Sequence, residues 1–294
     1  MFSTIAAILF PLFAVVLCGY GLAKTVAPDF SPLNRINMAV CVPALIFTSL
    51  LQLDLTRGLY GPLLQAGLIA LLLPGLLLWP LCHWLNQPFR LWAPLNMFRN
   101  AGNLAIPLYA FAFGEAAQDA AVLLFAVSAL LHMTVGLLIY QGRFSIRSLF
   151  SSPLAPSALL AIAINLLQIP VWPPIVQSAE LAGQAAIPLM LIALGGQLSQ
   201  LRWSGLYLGL LGTGISLLTG AVSFGLIYWW IPLPTLHLQM MLLFAMLPPA
   251  VMNYLFAERY NIEPQKASNI ILFGNFLSVI TLPILLMVAF ALAG

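Results

Sequence analysis

The feature that most constrains this chain is a succession of continuously apolar runs, each of about 20 residues, parted by short clusters of charge, Pro, Gly and Asn. A helix of that length spans the hydrocarbon of a bilayer, whereas a barrel strand would take about ten residues and alternate with period two. The runs predict ten transmembrane helices, at roughly 3–24, 34–53, 59–85, 93–113, 119–141, 153–170, 174–200, 203–231, 236–259 and 266–292. With their connections these helices account for nearly all of the 294 residues and leave no room for an extramembrane domain. Composition agrees: only 6% of the residues are charged, where a soluble domain carries about a quarter. With 10 Lys/Arg against 7 Asp/Glu there is no basic surface for nucleic acid. The expected class is an all-α membrane protein whose surroundings are the lipid bilayer.

Orientation follows from the cations. With the N-terminus outside, Lys24, Arg35, Arg90, Arg99, Arg143, Arg147, Arg202, Arg259 and Lys266 fall on the inner side and only Arg57 on the outer side. The bias predicts a multi-pass protein of the cell (inner) membrane with both termini outside. No basic residue precedes the first run and Lys24 follows it, so that run reads as a spanning helix and not as a cleaved signal. Cys18, Cys41 and Cys82 fall within spans, without CxxC spacing, and read as packing residues. No metal or cofactor is expected.

The two halves match at a nearly constant offset. Val42-Pro43-Ala44-Leu45-Ile46, followed by Gln52, aligns with Ile187-Pro188-Leu189-Met190-Leu191, followed by Gln197, at a shift of 145 (187 − 42). Gln118-Asp119-Ala120 aligns with Gln265-Lys266-Ala267 at 147 (265 − 118). The expected domains are a first repeat at 1–142, a short cytoplasmic connection at 143–152 and a second repeat at 153–294. Five helices per repeat is an odd number, so the second copy enters the membrane from the opposite side. Inverted repeats of this kind are common in secondary transporters, whose sites lie near the midplane on interrupted helices.

That architecture demands matching interruptions, and both halves have one. The fourth helix contains Asn96-Met97-Phe98-Arg99-Asn100-Ala101-Gly102-Asn103-Leu104-Ala105-Ile106-Pro107, and the ninth contains Leu247-Pro248-Pro249-Ala250-Val251-Met252-Asn253. Proline in mid-helix removes an amide donor and clashes with the preceding turn. Opened backbone at that depth is tolerated only against protein or a water-filled cavity. At each break a half-helix would present its N-terminus, with free N–H groups and partial positive charge, to the midplane. Two such ends form an anion site. Asn96, Asn100 and Asn103 recur at i, i+4 and i+7, one face of a continuous helix. They would bind substrate or satisfy the freed backbone. The plainer alternative is kinked helices with asparagines as interhelical glue.

The ninth and tenth helices also carry His237-Leu238-Gln239-Met240-Met241, Leu247-Pro248-Pro249, Phe256-Ala257-Glu258-Arg259-Tyr260-Asn261-Ile262-Glu263-Pro264, Ile271-Leu272-Phe273-Gly274 and Leu282-Pro283-Ile284. Together with Asn100, Gly102-Asn103, Ile106-Pro107, Phe113-Gly114, Pro43 and Gly195-Gly196, these strings resemble the auxin efflux carrier family. The resemblance implies a ten-helix carrier of two inverted five-helix repeats, with broken fourth and ninth helices crossing at prolines. It also implies scaffold and transport domains, each built from both repeats. Members export auxin in plants or move organic acids such as malate and malonate in bacteria. By position, Asn100, Asn103, Pro107, Pro248, Pro249 and Asn253 would carry the site. The central connection is short, unlike the long cytoplasmic loop of plant members, and an early Asp/Lys pair of some plant members is missing around Gly61 to Gln65.

His132 stands in mid-fifth helix, where relatives place an aromatic residue facing substrate. It would bind a carboxylate or carry a proton, or else be a neutral histidine bonded to a neighbouring helix. Arg99, about one turn from the break, contacts substrate or a gate, or else snorkels to the inner interface. Asp54, Glu115, Asp119, Glu180, Glu258 and Glu263 map to span ends, leaving no mid-membrane acid for proton or Na⁺ coupling. Gly205, Gly209, Gly212, Ser216, Gly220 and Ser223 form a small-residue stripe for close helix packing, also open to use by a moving interface or a homodimer. Trp79, Trp84, Trp92, Trp172, Trp203, Trp229 and Trp230 cluster toward span ends as interfacial anchors. HExxH, membrane GxGD and clustered His, Asp and Cys are absent from the sequence, so an enzyme is not expected. The sequence thus points to a carrier for a small organic anion, of the auxin-like or mono- and dicarboxylic kind, working by alternating access. A channel or a transporter-derived sensor is the alternative.

Overall fold

The computed structural model describes residues 2–53, 60–142, 150 and 152–292. Arg57, Arg143 and Arg147, which carry part of the charge bias, lie outside the described residues, as do Asp54 and most of the expected connection. The chain runs through α1 (Phe2–Thr25), α2 (Ser31–Gln52), α3 (Gly61–Trp84), α4 (Phe89–Met97), α5 (Ala101–Phe113) and α6 (Ala117–Gln141). It continues through α7 (Leu154–Leu166), α8 (Pro173–Leu198), α9 (Trp203–Trp230), α10 (Thr235–Met246), α11 (Met252–Arg259) and α12 (Pro264–Ala291). Seven of these, α1, α2, α3, α6, α8, α9 and α12, are long and apolar enough to cross a membrane, and α5, α7 and α10 are shorter apolar helices. The protein is all-helical among the described residues. Its single strand-like feature there is one isolated bridge, Arg99 to Pro249.

Proline shapes these helices. In α2 a π turn over Asn37–Cys41 precedes Pro43, and in α5 a π turn over Ala101–Ala105 precedes Pro107. Each π turn closes with a bond five residues back, from Val42 N–H to Asn37 O and from Ile106 N–H to Ala101 O. The ring cannot fit against a tight preceding turn and brings no donor of its own, so the turn widens. In α8 the helix is interrupted at Ala185, three residues before Pro188.

Two groups of helices pack within themselves. In one, α1 lies along α8, and α2 along α7 and α8; in the other, α9 lies against α12, α10 and α3, with α3 on α4; α5 and α6 pack on each other and also against α1, α2, α7 and α8, where the groups meet. The α1–α8 crossing is a backbone contact. A Cβ on Gly195 would run into the Val16 carbonyl, and one on Gly19 into the Ile192 carbonyl, so only glycine allows this approach. The small-residue stripe of α9 faces α12 and α10, meeting Asn269, Ile270, Phe273 and the Ala245 carbonyl. Trp92 departs from the interfacial pattern, being buried in α4, while Trp84, Trp172, Trp203, Trp229 and Trp230 are exposed.

Candidate functional site at the helix crossing

Two chain interruptions meet inside the second group. The first, Phe98 to Asn100, separates α4 from α5; the second, Leu247 to Val251, separates α10 from α11. Backbone groups freed at one break are taken up by the other. Asn100 N–H donates to Pro248 O at 2.8 Å, and Ala250 N–H donates to Phe98 O at 2.9 Å. This two-bond exchange is why Arg99 and Pro249 register as a bridge. It meets the requirement that backbone in a membrane be satisfied internally.

Side chains complete the crossing. Asn253, fully buried on α11, donates through Nδ2 to Phe98 O at 3.0 Å and accepts from Tyr140 Oη at 3.4 Å. Asn275 on α12 donates to Pro249 O at 3.2 Å and to Ile271 O at 2.8 Å, and accepts from Asn100 Nδ2 at 2.6 Å. Asn96 donates to Trp92 O at 2.8 Å within its own helix. Asn103 stands apart: it is half-buried and has no hydrogen-bond partner among the described residues. The expected common face of Asn96, Asn100 and Asn103 is not formed, because the helix ends at Met97 and restarts at Ala101. Interruption, rather than helical periodicity, sets where each amide points.

Arg99 lies within the break, not a turn away from it, and is 1% exposed, so it does not snorkel. The second group of helices encloses it. Its guanidinium donates to Ser216 Oγ, to Ser216 O at 3.2 Å, to Thr219 Oγ1 at 3.3 Å and to Leu247 O at 3.3 Å. Ser216 and Thr219 lie near the middle of the 25-residue stretch Leu206–Trp230, so the charge sits deep in the helix bundle. Every partner is neutral, and Nε has none. No carboxylate among the described residues acts electrostatically on it.

His132 begins a third π turn, His132–Gly136, in α6. Its ring stacks on Phe98 at 4.1 Å between centroids and meets Phe256 edge-on at 5.0 Å. It is buried against the Asn253 side chain, and its Nε2 is unpaired. Pro107 is buried two residues beyond the α5 π turn and removes the amide that Asn103 O would accept four residues on. Pro248 and Pro249 are buried at the second break and offer their carbonyls across the crossing. The fold therefore brings Arg99, Asn100, His132, Pro248, Pro249 and Asn253 together, with Asn103 and Pro107 on the half-helix leaving the crossing. A cavity of about 10 Å³, room for about one water, lies beside it between Thr213, Ser216, Pro248, Pro249, Gly274 and Thr281.

Four participants, Asn275, Ser216, Thr219 and Tyr140, are not site residues in the sequence reading. Asn275 immediately follows the Ile271–Gly274 string, and an asparagine in the apolar middle of a 28-residue helix is itself a signal. Ser216 belongs to the small-residue stripe, whose spacing points to packing, a moving interface or a homodimer and not to a polar contact, and Thr219 and Tyr140 have no local signature.

Comparison with known proteins agrees with this architecture. Residues 141–286 match the family described as membrane transport protein. An uncharacterized transporter of Methanothermobacter thermautotrophicus is 28% identical over 271 residues, covering 87% of this chain and 88% of that protein. These similarities and the seven long apolar helices describe a multi-pass membrane protein with a small-molecule substrate. They bear out the resemblance to the auxin efflux carriers, with residues 141–286 similar to the membrane transport protein family.

Proposed function

We propose that the protein is a secondary carrier moving a small organic anion, of the auxin-like or mono- and dicarboxylic kind, by alternating access. The observation that carries this reading is the buried guanidinium of Arg99, held only by neutral groups at the point where two broken helices meet. A charge deep in a membrane protein is costly unless compensated, and an anion arriving at the crossing would supply the missing opposite charge. The α5 N-terminus adds partial positive charge in the same place. Its Gly102, Asn103 and Leu104 amides are outside the backbone bonds that close the break. Asn103 is the amide free to bind substrate, while Asn100 and Asn253 hold the crossing together. His132, with Nε2 unpaired, is a second polar contact.

Taking α4 with α5, and α10 with α11, as one interrupted span each gives ten spans, arranged as inverted repeats at 1–142 and 153–294. The repeat is supported by paired irregularities: the π turn before Pro43 and the break before Pro188 touch, with Asn37 Nδ2 at 3.5 Å from Ala186 O. The group of α1, α2, α7 and α8 would be the scaffold, and the group holding the crossing would be the moving part. Both termini would lie outside. A screen of purified protein against monocarboxylates, dicarboxylates and indole acids, with and without Na⁺ and across pH, tests the reading. Anions at about 100 times their Kd should raise stability by about 2.7 kcal/mol. Stabilisation by neutral or cationic solutes alone would contradict it.

A further inference from the structure

A second, larger cavity of about 440 Å³ lies away from the crossing, between α1, the C-terminal end of α8, the start of α9 and the middle of α12. It lies where the two helix groups meet. One side is rigid, because α1 and α8 touch backbone to backbone at Gly19 and Gly195. The other is formed by Trp203, Phe276 and Val279 of the crossing-bearing group.

The cavity is strongly polarised along its length. Along α1 the lining runs from Phe13 to Lys24, and among the described residues Lys24 is the one charged residue in it. The ammonium is positioned by two contacts, donating to Ser199 O at 2.9 Å and lying 5.7 Å from the Tyr20 ring centroid. An ammonium has three donors, so N–H groups remain for a ligand. From Phe13 to Lys24 is 11 residues of helix (24 − 13), about 16 Å at 1.5 Å each. One leaflet of bilayer hydrocarbon is about 15 Å deep, half of about 30 Å. The walls open sideways: Leu17 and Trp203 are each 66% exposed, in helices whose outer faces meet lipid.

We propose that this cavity holds one acyl chain of an anionic phospholipid, with the phosphate on Lys24. Its depth of one leaflet, its apolar lateral opening and a single cation at the headgroup level fit a lipid better than a soluble anion, which would need polar groups along its length. The lipid would lie between the two helix groups. The proposal rests on the membrane-spanning fold and not on the carrier reading above, so either can fail alone.

The test uses full-length protein reconstituted in phosphatidylcholine with or without phosphatidylglycerol, extracted gently, with retained lipid counted by native mass spectrometry. Wild type should retain phosphatidylglycerol in preference to phosphatidylcholine. Lys24→Gln should reduce that preference about fivefold, the effect of one lysine near a headgroup, and Lys24→Arg should keep it. Val279→Trp, which fills the slot, should lower retention of both lipids, with the melting temperature of each variant read in parallel to confirm folding. A preference unchanged in Lys24→Gln, or wild-type retention in folded Val279→Trp, would overturn the proposal. Displacement of the lipid by soluble malonate would also overturn it and assign the cavity to the solute.

Discussion

Asn275 ties the crossing together at one point: its amide meets the Pro249 carbonyl while its oxygen accepts from Asn100. Asn275→Ala leaves buried polar groups of both breaks without partners. It should destabilise the protein by about 1–3 kcal/mol, read as a fall in melting temperature in detergent. Asn103→Ala should behave oppositely. The side chain has no partner to strand, so stability should change by less than about 0.5 kcal/mol while anion binding is lost. Arg99→Lys should fail to restore binding lost in Arg99→Met. A lysine presents no planar fork to reach Ser216, Thr219 and Leu247 O together. The sequence located these residues but could not sort them. Asn96, Asn100 and Asn103 have the spacing of one helical face, and only the break between Met97 and Ala101 shows which amide is free. Depth was likewise hidden for Arg99, because a guanidinium near a span end and one inside a break read alike until the chain is folded.

Among the elements, the broken helices were legible because proline chemistry is local. Pro248 and Pro249 lie in the second interruption itself, Pro107 widens α5 seven residues beyond the first, and both interruptions fall inside the stretches 96–107 and 247–253. The partner of each break was not local information. The exchange of Asn100 N–H for Pro248 O, and of Ala250 N–H for Phe98 O, joins residues about 150 apart and needs the tertiary fold. The α1–α8 contact is the element-scale feature most exposed to mutation. Gly195→Val places two methyl groups into α1 backbone and must push the helices apart. Overpacking of this kind typically costs about 1–3 kcal/mol, and the accompanying loss of thermal stability should not be relieved by any anion.

At the scale of the whole molecule, the seven long apolar helices and the family match make a multi-pass transport protein, and the proposed mechanism adds movement of one helix group against the other. The seven long apolar helices were readable because apolar run length is set by the bilayer. The division into two groups was not, since apolar periodicity says little about which helix is a neighbour when every face is apolar. The cavity beside the crossing, about 10 Å³, has room for about one water, and the proposed mechanism would admit a solute through another arrangement of those groups. A carrier that alternates in this way exchanges solute across the membrane, and a channel does not. Counterflow in proteoliposomes preloaded with an unlabelled carboxylate measures this directly. The expected result is a transient overshoot of labelled carboxylate that saturates with concentration and disappears in Asn103→Ala. Uptake that rises linearly without overshoot, or an overshoot for a cation and none for carboxylates, would contradict an anion carrier built on this crossing.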